Sequence, residues 1–549
     1  MSLTGQPSKK PLLHGKRAIV IDDMGAAVAI GRNMLMSLGA KQVDTANDYQ
    51  SAFILLARKK YDLVLCDFNL GTGLNGQQLL RDLRHIDRLS YTTLFIVVSA
   101  ERTKDIVLGT IECEPDGYIA KPFTQADFIQ RITRLVEQQV AFETFNKALD
   151  NKQYAEAFAE ADRISADHPK YRNLALRKKA GTLYELKRYD GALVQFDKAL
   201  EKHPLTWAQI GRARCIAELG DTAQAIEEFE AIIKNNGLAV PAIDSLATCQ
   251  LREGRKKEAQ ATVVKAISLS PMSIERQRWL GELSMDIGEL ETAVKANRSV
   301  LRLAQGTLKE SVKQYQTFSR SLRKAIEEET DSKVIGERIR EGRQIIKEGL
   351  KKFENEESLK ANDTLYRALD KFKQGDSEET IAIIDAAIER HKELLAEEPS
   401  LIIDIAETKL LAGDRPGAEA MLRKLIADHK DNKPLVDQAQ SILDIPLSHH
   451  QRVLITEKNR QGKHQYDNGD YEQALSSFRE ALNLYPQHPS INLNAIQATL
   501  KLIESGQRSE KAIHEALGYL NASVPLESDH PEYKRKEAFE KYLHKRAKA

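Results

Sequence analysis

The sequence predicts two folds in one chain: an α/β doubly wound, five-stranded parallel sheet, then an all-α helical-repeat solenoid. Two observations predict this. Between residues 15 and 138, short apolar runs alternate with helical patterns, as βα units do. Further on, small and turn-forming residues recur every 34 positions, at Gly220, Gly254 and Gly288 and at Ala225, Ala259 and Ala293.

The five strands are expected at 17–23, 42–46, 63–70, 94–100 and 117–120, with helices at 26–38, 49–59, 76–85, 103–112 and 124–139. Ligands of open α/β sheets bind beyond the carboxyl ends of the strands. Asp22 and Asp23 end the first strand, Asp67 the third and Ser99 the fourth, while Lys121 and Pro122 follow the fifth. Three carboxylates at one edge repel each other and call for a cation. Hard oxygen donors without sulfur or imidazole suit Mg²⁺. A carboxylate beside such an ion can attack phosphorus and form an acyl phosphate. Ser99 is placed to donate a hydrogen bond to the new phosphoryl group, and Lys121 to neutralise its charge.

These residues, in these strand contexts, resemble the receiver domain of two-component response regulators, the CheY-like family with its flavodoxin-like sheet. The resemblance implies that Asp67 is the phospho-acceptor. It implies a Mg²⁺ site formed by Asp22, Asp23, Asp67 and the backbone carbonyl of Asn69. Ser99 and Lys121 would contact the phosphoryl group. Ser99, Tyr118 and Pro122 match switch positions, with a cis bond before Pro122. Asn69 and Glu101 match positions that tune the lifetime of the acyl phosphate, so a signal that decays by itself is expected. A histidine kinase or phosphotransfer domain would donate the phosphoryl group. The loop NLGTGLNG after Asp67 departs from the family. It is glycine-rich, lacks the usual proline and is one residue longer, which bears on loop geometry and not on the acceptor.

The next region, 139–305, is read as a first repeat array. Residues 175–204 place Ala180, Tyr189, Ala192, Phe196, Ala199 and Pro204 at regular offsets. Gly220, Ala225, Phe229 and Ile232 follow, then Gly254, Ala259, Val263, Ala266 and Pro271, then Gly281, Gly288, Ala293 and Val300. A weaker copy precedes them at Tyr154, Ala157, Ala161, Ile164 and Pro169. The clearest copy is 459–486, with Gly462, Gly469, Tyr471, Ala474, Phe478, Ala481 and Pro486. Small residues let paired helices approach, larger ones fill the gaps, and each unit needs its neighbours to bury its face. The pattern resembles tetratricopeptide repeats, which implies a concave face that takes a protein or peptide. No glycine or proline separates the last helix of the α/β unit from the first repeat helix, so the two are expected to join directly or nearly so.

In 306–396 the period breaks down. Leu308, Val312, Tyr315, Leu322 and Ile326 mark an amphipathic helix, and Ile335, Ile339, Ile346, Leu350 and Phe353 another. A helical hairpin with solvated charged faces is expected there. Heptad-like spacing leaves a coiled-coil homodimer open. Residues 397–549 are read as a second array, with Gly413, Ala418 and Leu422 in a divergent repeat and a polar terminal helix as its cap. Residues 1–14 form an N-terminal tail.

The formal net charge of +1 gives no general attraction to nucleic acid. The first residues lack the apolar core of a signal peptide, no window is apolar enough to span a membrane, and the four cysteines have no paired metal spacing. A cytoplasmic location is expected. No catalytic set beyond phosphoryl acceptance and self-dephosphorylation is found, so the chain is not read as an enzyme. The leading expectation is a bacterial response regulator whose output is protein binding. The alternative is an adaptor that docks on a kinase or sibling regulator and inhibits phosphotransfer. A nucleic-acid-binding role for the basic C-terminal helix ranks lower.

Overall fold

The computed structural model describes residues 11–71, 74–100, 115–444, 449–509, 511–524, 526, 530 and 532–547. Five parallel strands are present: β1 (Arg17–Ile21), β2 (Gln42–Ala46), β3 (Leu63–Asp67), β4 (Leu94–Ser99) and β5 (Gly117–Ala120). Their order is β2-β1-β3-β4-β5, so the switch in winding direction falls between β1 and β3. The register runs Val20 to Leu65, Leu65 to Ile96 and Ile96 to Gly117.

Alternation of side chains divides the core in two. Ile19, Ile21, Val64, Cys66, Phe95 and Val97 point to one face. They meet α2 (Tyr49–Arg58) through Ala52 and Leu56, and α3 (Gly76–His85) through Leu79, Leu80 and Leu83. Ala18, Val20, Leu63, Leu65, Ile96 and Val98 point to the other, against Leu35 of α1 (Gly25–Ser37) and Phe128 and Ile132 of the helix Gln125–Ala141. Burial on both faces explains why the central strands read as continuous apolar runs rather than as alternation. The helix expected at 103–112 and Glu101 lie outside the described residues.

Thr124 caps the helix Gln125–Ala141 through a reciprocal pair with Asp127. Phe142 alone separates that helix from the next, Glu143–Asp150, as the lack of a breaker predicts. Among the described residues, helices then follow one another as far as Ala547. Those that pack most closely are neighbours in sequence, as in a solenoid.

The repeat anchors act as close-approach and turn positions. A Cβ on Gly462 would lie 2.5 Å from the Phe478 ring, and one on Gly281 would lie 2.4 Å from Asn297. Bulk on the second helix of a repeat therefore demands a glycine or alanine on the first. Gly220, Gly254 and Gly288 adopt left-handed backbone at the turn between paired helices, and Lys152 and Lys187 take the same conformation in the two earlier turns.

The chain divides into two compact units. One is Met1–Leu280 with Arg302–Glu310; the other is Gly281–Leu301 with Ser311–Ala549. Within the second unit, the region expected as a hairpin forms four long helices, Val312–Glu327, Ser332–Lys352, Glu357–Lys373 and Ser377–Arg390, and a short one, Lys392–Glu397. Its charged residues are not all solvated. Arg323 and Lys324 are buried. The reason is tertiary: Asp404 pairs with Arg323 and Glu407 with Lys324, from a helix far along the chain, and Arg452 pairs in turn with Glu407. The helix Tyr533–Ala547 packs Leu543, fully buried, against Leu493 and Ile496, which is how a cap would close an array. Among the described residues, no helix is long and apolar enough to cross a membrane.

Candidate phosphoryl-acceptor site

The carboxyl ends of β1, β3 and β4 and the residue after β5 meet at one edge of the sheet. Asp22 follows β1 and is buried; its Oδ1 accepts the Met24 N–H at 2.9 Å. Asp67 is the last residue of β3, with 8% of its surface exposed. Lys121 donates from Nζ to Asp22 Oδ2 at 2.8 Å and to Asp67 Oδ1 at 2.5 Å. The other Asp67 oxygen, Oδ2, accepts the Asn69 N–H at 2.9 Å. Ser99 ends β4 and is buried, and its carbonyl accepts the Lys121 N–H at 2.7 Å, which ties β4 to the lysine. The Lys121–Pro122 bond is cis. Tyr118 is half-buried against the cluster that holds Val97 and Phe95. Asp23 and Asn69 are exposed. Asn69 Oδ1 accepts the Gly71 N–H at 3.1 Å, so the loop after Asp67 begins as a tight side-chain-closed turn with Gly71 in left-handed backbone.

One ammonium between two carboxylates leaves the edge short of positive charge. Burial pushes the Asp67 carboxyl above its usual range, against the pull of Lys121. Burial works to lower the Lys121 ammonium, but its bonds to Asp22 and Asp67 outweigh this and hold it above its usual range. Buried Cys66 next door is pushed well up by desolvation and by the Asp67 charge, so its thiol stays protonated and inert.

Residues 18–133 match the family model for the response regulator receiver domain, and residues 177–239 and 459–522 match a tetratricopeptide repeat model. The chain joins a receiver domain to tetratricopeptide repeats. The chemotaxis protein CheY-3 of Vibrio cholerae is 26% identical over 122 residues, which cover 22% of this chain and 92% of that protein. The chemotaxis protein CheY of Pseudomonas aeruginosa is 28% identical over 122 residues, covering 22% of this chain and 97% of that protein. Among solved structures, a CheY-like receiver domain protein from Methanospirillum hungatei is 21% identical, covering 23% of this chain and 95% of that one, with a TM-score of 0.21. The receiver domain of a putative Luxo repressor protein from Vibrio parahaemolyticus is 14% identical, covering 23% and 95%, also with a TM-score of 0.21.

Receiver domains generally bind Mg²⁺ at the acidic pocket, and the donors here fit such an ion in kind: they are oxygens, and Asp67 and Asp22 are desolvated with too little positive charge. They are not drawn together in advance. Among the described residues no group of three or more His, Cys, Asp or Glu side chains is arranged to hold a metal. Asp22 and Asp67 are brought together through Lys121, whereas Asp23 stands apart, beside Gly71. Residue reading missed Gln78, whose side chain caps α3 one turn beyond the acceptor loop. An Asn followed three residues later by Gln was the signal for it.

Proposed function

We propose that this chain is a response regulator that accepts a phosphoryl group on Asp67 and reports it through protein binding by its repeats. The observation that carries this reading is the desolvated Asp67 carboxylate at the sheet edge, with one oxygen on Lys121 and the other on the Asn69 N–H. A histidine kinase or phosphotransfer domain supplies the group. An Asp67 oxygen forms the new P–O bond, the P–N bond of the phosphohistidine breaks, and its electron pair stays on the imidazole nitrogen.

Asp22, Asp23, Asp67 and the Asn69 carbonyl are the residues that would hold Mg²⁺, which supplies charge neutralisation on the transferring phosphoryl oxygens. Lys121 stays with the acyl phosphate, whose negative charge replaces the carboxylate it now binds. The Ser99 hydroxyl donates to a phosphoryl oxygen, and Tyr118 follows it. Asn69 and Glu101 set how fast water removes the group, which is the only turnover we assign.

The test is phosphoryl uptake from a phosphorylated histidine-phosphotransfer domain, followed on the intact chain with a radiolabelled donor. The expected result is an acid-stable, hydroxylamine-labile label that Asp67→Ala abolishes. Label that persists in Asp67→Ala overturns the assignment.

A further inference from the structure

A helix on the outside of an α/β sheet ordinarily buries one face and shows the other to water. Helix α3 does not. Every residue from Leu74 to Leu80 is buried, including Gln77 and Gln78. Leu79, Leu80 and Leu83 account for the face on the sheet. Contacts to the other face come from the end of the first repeat array, within the same compact unit. Gln78 donates from Nε2 to the Leu303 carbonyl at 3.2 Å. Arg81 meets Glu275 at 3.4 Å, and Glu275 also pairs with Lys309. A Cβ on Gly306 would lie 3.5 Å from Leu74 Cδ1.

We propose that Gln78 is a positioning residue that relays the state of Asp67 to the repeat segment Arg302–Glu310. The Gln78 amide is shared between two tasks. Its Oε1 accepts the Asn75 N–H at 2.8 Å while Asn75 Oδ1 accepts the Gln78 N–H at 2.9 Å, which closes the start of α3. Its Nε2 holds Leu303. The path back to Asp67 is short and tied at each step. Asn69 donates to Asp67 Oδ2, Asn69 and Asn75 pair across the loop, and the Gly76 N–H donates to the Phe68 carbonyl at 2.8 Å. A Cβ on Gly76 would lie 2.6 Å from the Asp67 carbonyl oxygen, so the start of α3 sits directly on the acceptor strand.

A phosphoryl group on one Asp67 oxygen changes what the Asn69 N–H and Lys121 can donate to. The tied loop passes that change to the Asn75–Gln78 pair, and the bond to Leu303 loosens. Arg302–Glu310 belongs to the same compact unit as α3, and the residues on either side of it in the chain belong to the second. The interaction surface is thus the outer face of α3, and its occupant in the unphosphorylated chain is the chain's own repeat segment. This inference rests on Asp67 being the phospho-acceptor.

The test is hydrogen exchange on the full chain with and without Mg²⁺ and beryllofluoride, in the parent and in Gln78→Glu. The glutamate keeps the oxygen that accepts from Asn75, so α3 stays capped, but it cannot donate to Leu303. Amides in 302–310 are expected to exchange about tenfold faster with beryllofluoride, and as fast in Gln78→Glu without it. In the variant, beryllofluoride is expected to add no more than about twofold at those amides. Parent-like exchange at 302–310 in Gln78→Glu, with protection of α3 retained, overturns the relay whatever beryllofluoride does. Beryllofluoride effects at Ser99 and Tyr118 with none at 302–310 overturn the relay and leave the acceptor reading intact. No beryllofluoride effect anywhere overturns the acceptor reading and the relay with it.

Discussion

The receiver edge and the centre of the second unit bury charge in opposite ways. At the edge, two carboxylates share one ammonium, and burial holds the Asp67 carboxyl up. In the second unit, Asp404 is bracketed by Arg320, at 2.9 Å, and by Arg323, at 2.8 Å, while Glu407 lies between Lys324 and Arg452. Burial alone would raise both carboxyls, but the surrounding cations outweigh it and hold both below their usual range. Arg323 is further satisfied by Ser319 and Asn362. The difference teaches how to separate a site from a strut. A closed network spends its donors and acceptors on itself, whereas the receiver edge keeps unspent negative charge where a cation or phosphoryl group would change it.

The largest expected effect is on the strut. Asp404→Asn leaves the buried Arg323 and the half-buried Arg320 facing a neutral amide and should cost about 3–5 kcal/mol in urea unfolding. Asp67→Asn should shift stability by about 1 kcal/mol or less, because Asp22 still holds Lys121. Equal losses would break the comparison.

A second expected effect comes from Glu327, the one carboxyl in the strut that is not outmatched. Burial pushes it up to about 7 from an ordinary 4.5, against Lys324. A carboxyl raised on folding makes the folded state bind more protons between those values, so stability falls as pH rises from 4.5 to about 7. Unfolding of Glu327→Gln across that window should lose this slope. A slope unchanged by the substitution would mean that Glu327 is paired as fully as Asp404.

The smallest expected effect sharpens the receiver side. Mg²⁺ at 100 times its Kd should stabilise the receiver by about 2.7 kcal/mol at most. Hydrogen exchange should show that protection around Asp67 and leave amides around Arg323 and Asp404 unchanged. Equal protection at both places would remove the distinction between them.

Much of the receiver was legible because its signals are local. The strands 42–46 and 117–120 and the helix 76–85 begin and end where apolar runs and turn residues place them. Asp22, Asp67, Ser99 and Lys121 could be found because a strand end is a position in sequence as well as in space. The same holds for Gly220, Gly254 and Gly288, whose turns require left-handed backbone. Gln78 was half legible. Its cap on α3 follows from the spacing to Asn75, but its bond to Leu303 spans 225 residues and has no local trace.

What the sequence determined by itself is what each segment must be. Period and composition make strands, helices and repeat turns, and they set which groups stand at the sheet edge. What only the tertiary structure decided is which charges are shared. Arg323 and Lys324 look like a solvated helix face until Asp404 and Glu407 arrive from another helix. Asp23 reads as the equal of Asp22 until Lys121 takes one and leaves the other in water. The physical reason is that the energy of a charge depends on desolvation and on partners within a few ångströms, and neither is a property of its neighbours in the chain.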